Sequence, residues 1–142
     1  MNIIIASDHA GYDLKENIKK NISKFNLNIK DVGCYSNDSV DYPVYAHKLI
    51  KEFTLNKYNF GILICGTGNG IAMTANKYKD IRAAVCWNNE IAKLVKKHNN
   101  ANILCLPARF ISLEMANKII NNFMNSDFEG GRHLKRIKKI NK

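Results

Sequence analysis

No apolar run in these 142 residues approaches the roughly 18 that a membrane-spanning helix needs. No two of the four cysteines, Cys34, Cys65, Cys86 and Cys105, form a C-x-x-C pair, which argues against a zinc knuckle or a dithiol redox motif. They are too few and too scattered for the disulfide framework of a secreted scaffold. The opening Met-Asn-Ile-Ile-Ile-Ala-Ser-Asp has no basic segment, and its apolar stretch is too short for a signal-peptide core. A cytoplasmic location is expected. No internal repeat, linker or low-complexity boundary interrupts the chain. One domain over residues 1–142 is expected, long enough to bury a core without staples.

Acid is scarce as well. Twelve Asp and Glu against 22 Lys and Arg leave a formal charge of +10. Such a balance fits either nucleic acid or an anionic small substrate. No zinc finger and no RNA-binding aromatic motif supports nucleic acid. Eighteen of the cations are lysine, and 20 asparagines accompany them along the whole chain, a compositional bias rather than a binding patch. Arginine, with four residues, is the rare cation. Its planar fork binds phosphate bidentately where lysine is only a point charge, so an arginine in a lysine-biased chain marks a position lysine does not serve. Arg132 and Arg136 stand four apart, which fits a phosphate-binding pair or a solvated basic helix face.

What is present alternates. Asn2–Ala6 reads as a strand and Ser7–Gly11 as a turn. Leu14, Ile18, Ile22 and Phe25 recur at helical spacing, predicting a helix over Tyr12–Phe25. Leu27–Val32 reads as a strand, Gly33–Pro43 as a polar loop and Val44–Phe53 as a helix. The continuous apolar run Phe60–Ile64 predicts a strand buried on both faces. A helix follows over Ile71–Lys77. A further buried strand is expected at Arg82–Cys86, a helix at Glu90–Lys97 with His98-Asn99 just beyond it, and a fifth strand at Asn102–Leu106. Helices around Leu113–Phe123 and over about 131–141 complete the chain. Strands and helices in alternation predict a Rossmann-like three-layer α/β/α sandwich with a five-stranded parallel sheet. Ligands of such sheets bind beyond the carboxyl ends of the strands, where Ser7–Gly11, Gly66–Gly70 and Arg109 all fall.

Gly66-Thr67-Gly68-Asn69-Gly70 lies between a buried strand and a helix. Three glycines let backbone N–H groups turn toward one point, which makes either an anion cradle or a plain tight turn. The dinucleotide fingerprint fails at Ile71, and the P-loop fails for want of a lysine. Cys65 precedes this loop. As a thiolate favoured by N–H donors it could act as nucleophile or base; otherwise it is an inert strand-end cysteine. Cys86 and Cys105 sit in apolar runs and read as small buried hydrophobes. Asp8-His9 fits a contact to sugar or phosphate, or a turn-closing pair. His98-Asn99 is equally open, and His47 reads as surface.

Taken together, Ser7-Asp8-His9-Ala10-Gly11, Asp41-Tyr42-Pro43, Ile64-Cys65-Gly66-Thr67-Gly68-Asn69-Gly70, Ala75-Asn76-Lys77, His98-Asn99 and Glu129-Gly130-Gly131-Arg132-His133 resemble the ribose-5-phosphate isomerase B family, in order and in spacing, from residue 2 to about 137. That family also includes allose-6-phosphate isomerases and galactose-6-phosphate isomerase subunits. The resemblance implies aldose–ketose isomerisation of D-ribose 5-phosphate and D-ribulose 5-phosphate, with hexose 6-phosphates as the alternative substrates. A non-catalytic nucleotide- or nucleic-acid-binding module is the alternative from another class, resting on charge and glycine loop alone.

By the same resemblance, Cys65 is the proton-transfer base. A branch without this cysteine places a glutamate a few residues on, a region where Asn69 and Gly70 cannot act as bases. His98, with Asp8 or Thr67, opens the sugar ring. Asp8 and His9 contact substrate, and Gly66, Thr67, Gly68, Asn69 and Gly70 form the anion hole. Asn99, Arg109, Arg132 and Arg136 hold further parts of the ligand, whereas Arg82 reads as structural. Pro107 departs from the glycine expected before Arg109, which predicts a slight shift of that arginine. No metal and no organic cofactor is implied. The family forms dimers with shared active sites, so a homodimer or dimer of dimers is expected, with the basic C-terminal helix at the interface.

Overall fold

The computed structural model describes residues 1–141; Lys142, the end of the expected domain, lies outside the described residues. Five strands form one sheet: β1 (Asn2–Ser7), β2 (Asn28–Asp31), β3 (Phe60–Cys65), β4 (Ala83–Val85) and β5 (Ile103–Pro107). Their order is β2-β1-β3-β5-β4, and every pairing is parallel. The helices are α1 (Tyr12–Ile22), α2 (Tyr42–Leu55), α3 (Asn69–Ala75), α4 (Asn89–Asn99), α5 (Leu113–Met124) and α6 (Gly131–Ile137).

The apolar runs explain the three layers. Successive residues of a strand face opposite sides of the sheet. Ile3, Ile5, Ile62, Ile64, Leu104 and Leu106 pack against α1, α4 and α5 through Ile18, Ala92, Ile119 and Phe123. Ile4, Ala6, Leu63, Cys65, Ile103 and Cys105 face the other way, onto Leu49 and Ile50 of α2 and Ile71 and Ala75 of α3. β1 and β3 thus bury both faces, as their unbroken apolar sequences require.

Several boundaries differ from those expected, each for a local reason. The helix expected from Val44 starts at Tyr42, because Pro43 falls in the first turn, where its missing N–H has no partner to lose. α3 starts at Asn69, two residues early, after Gly68 in a left-handed conformation. α4 runs through His98 and Asn99 and ends where Asn100 turns left-handed at φ 47°, so this pair forms the last turn rather than following it. α1 stops at Ile22, and Ser23–Phe25 continues as a single 3-10 turn. β4 is a three-residue, half-buried edge strand instead of a buried one over 82–86. α6 ends at Ile137, short of 141.

The chain order reverses between β1 and β3. After β1 the chain moves outward to β2 and then returns to the other side of β1. The connections that leave the carboxyl ends of β1 and β3 therefore diverge, and a crevice opens between them.

Candidate active site

Two loops meet at that crevice. Asp8, just past β1, donates its N–H to Ile64 O of β3 at 3.1 Å and accepts the Gly11 N–H on Oδ1 at 3.1 Å. It is 6% exposed. The turn-closing role open to this aspartate is therefore filled, and its second carboxylate oxygen remains for a ligand. His9 places Nδ1 3.1 Å from both the N–H and the carbonyl of Val40. The loop before α2 thus fixes the ring, and Nε2 is the nitrogen left for a ligand.

Cys65 closes β3 and is 4% exposed. The Gly68 N–H donates to its Sγ at 3.1 Å. Gly68 reaches that position with φ 76°, a backbone glycine adopts at little cost. Arg109 follows β5 and donates its N–H to Gly66 O at 3.1 Å. Its guanidinium lies over Gly66, where a Cβ would stand 2.9 Å from Nη1. Pro107 ends β5 opposite Cys65, and the Ala108 N–H then bonds Cys65 O at 2.9 Å, so the proline sits inside a tied junction. Thr67 and Asn69 are exposed, with the Asn69 N–H donating to Thr67 Oγ1 at 3.2 Å.

The remaining expected residues form a second set elsewhere. α4 leaves the sheet beyond the carboxyl end of β4 and returns to the amino end of β5. Its eleven residues span about 16 Å. His98 and Asn99 therefore stand at the amino ends of the strands. Asn102 O, three residues past Asn99, accepts the Gly61 N–H near the start of β3, whereas Cys65 ends that strand. α6 packs against α4, with the His98 and His133 rings stacked at 4.4 Å. Arg132 and Arg136 project from α6 into solvent. The structure thus brings together Asp8, His9, Cys65, Gly66, Thr67, Gly68, Asn69, Gly70 and Arg109. It gathers His98, Asn99, Arg132 and Arg136 at the opposite end of the sheet, and one chain does not join the two sets.

The ribose/galactose isomerase family model matches residues 3–140. The probable ribose-5-phosphate isomerase B of Mycoplasma pneumoniae is 45% identical over 139 residues, covering 97% of this chain and 91% of that protein. The crystal structure of a ribose 5-phosphate isomerase from Thermotoga maritima is similar with a TM-score of 0.95 at 48% identity, over 98% of this chain and 96% of the other. Ribose-5-phosphate isomerase B from Mycoplasma genitalium, solved with bound ribulose-5-phosphate, gives 0.92 at 42% identity, over 98% and 93%.

The chain belongs to the ribose/galactose isomerase family.

In this ribose/galactose isomerase, the fold adds Trp87 and Phe110 to the site and gives Tyr42 of the Asp41-Tyr42-Pro43 block a place beside it. A cleft of about 470 Å³ beside the glycine loop is lined by Thr67, Asn69, Val85, Trp87, Pro107 and Phe110. Trp87 and Phe110 are exposed there at 54% and 72%. Tyr42 lays its ring on Gly70, where a Cβ would stand 2.5 Å from Cζ. The cues were a lone tryptophan after a strand and an aromatic residue beside Arg109.

Among the described residues, one group offers metal-ligand atoms within 4.8 Å of one another: His98, Glu129 and His133. The two imidazoles lie only 9° from parallel. Ring lone pairs point in the ring plane, so stacked rings do not converge on one ion, and the group suits stacking better than ligation.

Proposed function

We propose that this chain interconverts D-ribose 5-phosphate and D-ribulose 5-phosphate, with Cys65 as the base. The observation that carries the reading is the Gly68 N–H aimed at Cys65 Sγ, at the head of the glycine loop that borders the crevice. A donor of this kind is the partner a thiolate takes.

The substrate arrives mostly as a closed furanose. His98, with Asp8 or Thr67, moves the proton that opens it. The Cys65 thiolate then takes the C2 proton, the C–H electrons form the C1=C2 bond, and charge settles on O1. The N–H groups of Gly66–Gly70 stabilise that enediolate; one such donor is typically worth about 2.7–4 kcal/mol. The thiol returns its proton to C1 while the O2 hydroxyl proton passes to O1, leaving the ketone at C2. Arg132, Arg136 and His9 hold the phosphate, and Asn99 and Arg109 further parts of the ligand. Each step needs only protons, so the reading calls on no cofactor.

Because the two sets of residues stand at opposite ends of one sheet, the working unit is a dimer. Each site takes Asp8, His9, Cys65 and the glycine loop from one copy, and His98, Asn99, Arg132 and Arg136 from the other. α6, with its exposed arginines, then lies at the interface. Among the described residues, no helix is long and apolar enough to cross a membrane. Four buried, unpaired cysteines support a reducing compartment, the cytoplasm.

The test is turnover of ribose 5-phosphate by purified protein, beside allose 6-phosphate, and by Cys65→Ala. The variant is expected to lose at least about 100-fold in kcat, the scale of a lost acid–base group. Near wild-type turnover by Cys65→Ala would remove the base. Faster turnover of the hexose phosphate would reassign the substrate.

A further inference from the structure

α6 buries a single residue, and that residue is a histidine. His133 is 8% exposed, while its neighbours Arg132 and Arg136 stand in solvent. The approach to α6 is built to turn it inward. Gly130 and Gly131 take φ 67° and 54°, conformations glycine adopts without strain, although a Cβ at either would meet nothing within 4 Å. The Glu129 N–H bonds Lys97 O at 3.0 Å, tying this turn to the last turn of α4.

The result is a three-part cluster. The His133 and His98 rings stack at 4.4 Å and 9°. Glu129 Oε2 lies 3.9 Å from Nε2 of His98 and 3.7 Å from Nε2 of His133. Both distances exceed direct hydrogen-bond range, so the carboxylate acts on the rings as a charge. Its other oxygen is held by Lys97 Nζ at 3.2 Å. The charged and titratable groups around the stack are Lys97 and His98 from α4, Glu129 from the connecting turn, and Arg132 and Arg136 from α6.

We propose that His133 and Glu129 are positioning residues for His98: His133 fixes the plane of its ring, and Glu129 supplies a fixed negative charge beside it. This rests on the isomerase reading, in which His98 moves the ring-opening proton. An imidazole that changes charge in each cycle needs a platform that does not change charge with it. Burial first, then the cations of His98, Arg132 and Arg136, hold His133 below its ordinary value, so it stays neutral at neutral pH. A neutral ring supports a stacked imidazolium without repelling it.

The split between kcat and KM, with rescue by a flat neutral ring, provides the test. With the full chain assayed on ribose 5-phosphate, His133→Ala is expected to lower kcat about tenfold, below the ~10²–10⁴ of a lost acid–base group. KM should change by less than about twofold, and turnover of ribulose 5-phosphate should fall in step, because both directions share one equilibrium constant. His133→Phe, which keeps a flat neutral ring, should recover most of the loss. Glu129→Gln, at a half-exposed position that leaves the core untouched, should reproduce the loss of kcat to a smaller degree and carries the test should His133→Ala not fold. An unchanged kcat, a rise in KM alone, or no recovery by His133→Phe would overturn the proposal and leave the pair as props for α6. A wild-type chain inactive in both directions would sink the isomerase reading itself, and the positioning roles with it.

Discussion

The same thiol meets four environments in this chain. Burial pushes Cys86 up to about 12 and Cys105 well above its ordinary range, so both stay protonated and pack as apolar groups. Cys34 donates to the Ser36 carbonyl at 3.4 Å. Cys65 alone of the four receives a backbone N–H, from Gly68. That contact depends on one dihedral, which yields a prediction for a single residue. Gly68→Ala puts a Cβ on a left-handed backbone and 3.1 Å from Val85 Cγ1. The strain is about 1–2 kcal/mol, a loss of a few degrees in Tm. Moving the N–H off the sulfur should lower kcat more than tenfold, the scale of one oxyanion donor, with KM little changed. Steady-state kinetics beside a melting curve separate the two effects; a kcat that falls only in step with the folded fraction would remove the contact from the mechanism. Cys65 stands out in the sequence because a glycine loop follows it directly. Trp87 and Phe110 do not, since an aromatic residue becomes a cleft wall only through what the fold sets beside it.

At the scale of elements, α1 and β2 are joined by an ion-pair network. Lys15 is fully buried and pairs with Asp31 and with Glu16, the latter at 3.0 Å; Lys19 reaches Asp31 at 2.6 Å. Asp31 Oδ1 also accepts the Gly33 N–H at 2.9 Å, which anchors the start of the loop whose Val40 holds His9. Burial alone would raise the Asp31 carboxyl; hydrogen bonds from Lys15, Lys19 and Gly33 outweigh it and hold it below the usual range. A depressed folded value contributes stability above the unfolded value near 4, and loses it as pH falls through the folded one. Asp31→Asn should therefore cost about 3–5 kcal/mol at pH 7 by leaving Lys15 buried without its main anion. It should also flatten the fall in stability below about pH 5. Urea titrations at pH 7 and pH 4 measure both; an unchanged acid slope would show that the network does not set it. Elements were legible where their patterns are strong, as in the unbroken runs Ile3–Ala6 and Ile62–Ile64. Their ends were less so. Pro43 looked like a loop residue but lies in the first turn of α2, and His98 and Asn99 were expected just beyond α4 but form its last turn. Short-range propensity does not record which end of a helix tolerates a missing N–H, or where a left-handed asparagine stops one.

The whole molecule holds what no segment shows. The family resemblance implies that Cys65 and His98 serve one active site, yet the βα connections send them to opposite ends of the sheet. A parallel strand and the helix that returns from it run in opposite directions, so a residue ending a strand and one ending a helix separate by about the helix length, roughly 16 Å here. The proposed dimer would resolve this, because an isologous interface about a twofold axis would set one copy's strand ends against the other's helix ends and make two sites at once. The arrangement predicts complementation. Cys65→Ala and His98→Ala homodimers each lack one group at both sites and should show little turnover. In a mixed dimer, one site takes Cys65 from the His98→Ala chain and His98 from the Cys65→Ala chain, and is whole, whereas its twin lacks both. Random reassociation of equal amounts makes half the dimers mixed, each with one good site of two, so turnover should return to about a quarter of the wild-type value. Unfolding and refolding the variants together, then assaying ribose 5-phosphate against each variant refolded alone, measures it. A mixture no more active than its components would mean that each chain completes its own site, and α6 would then have to move across the fold to bring Arg132 and Arg136 to Cys65.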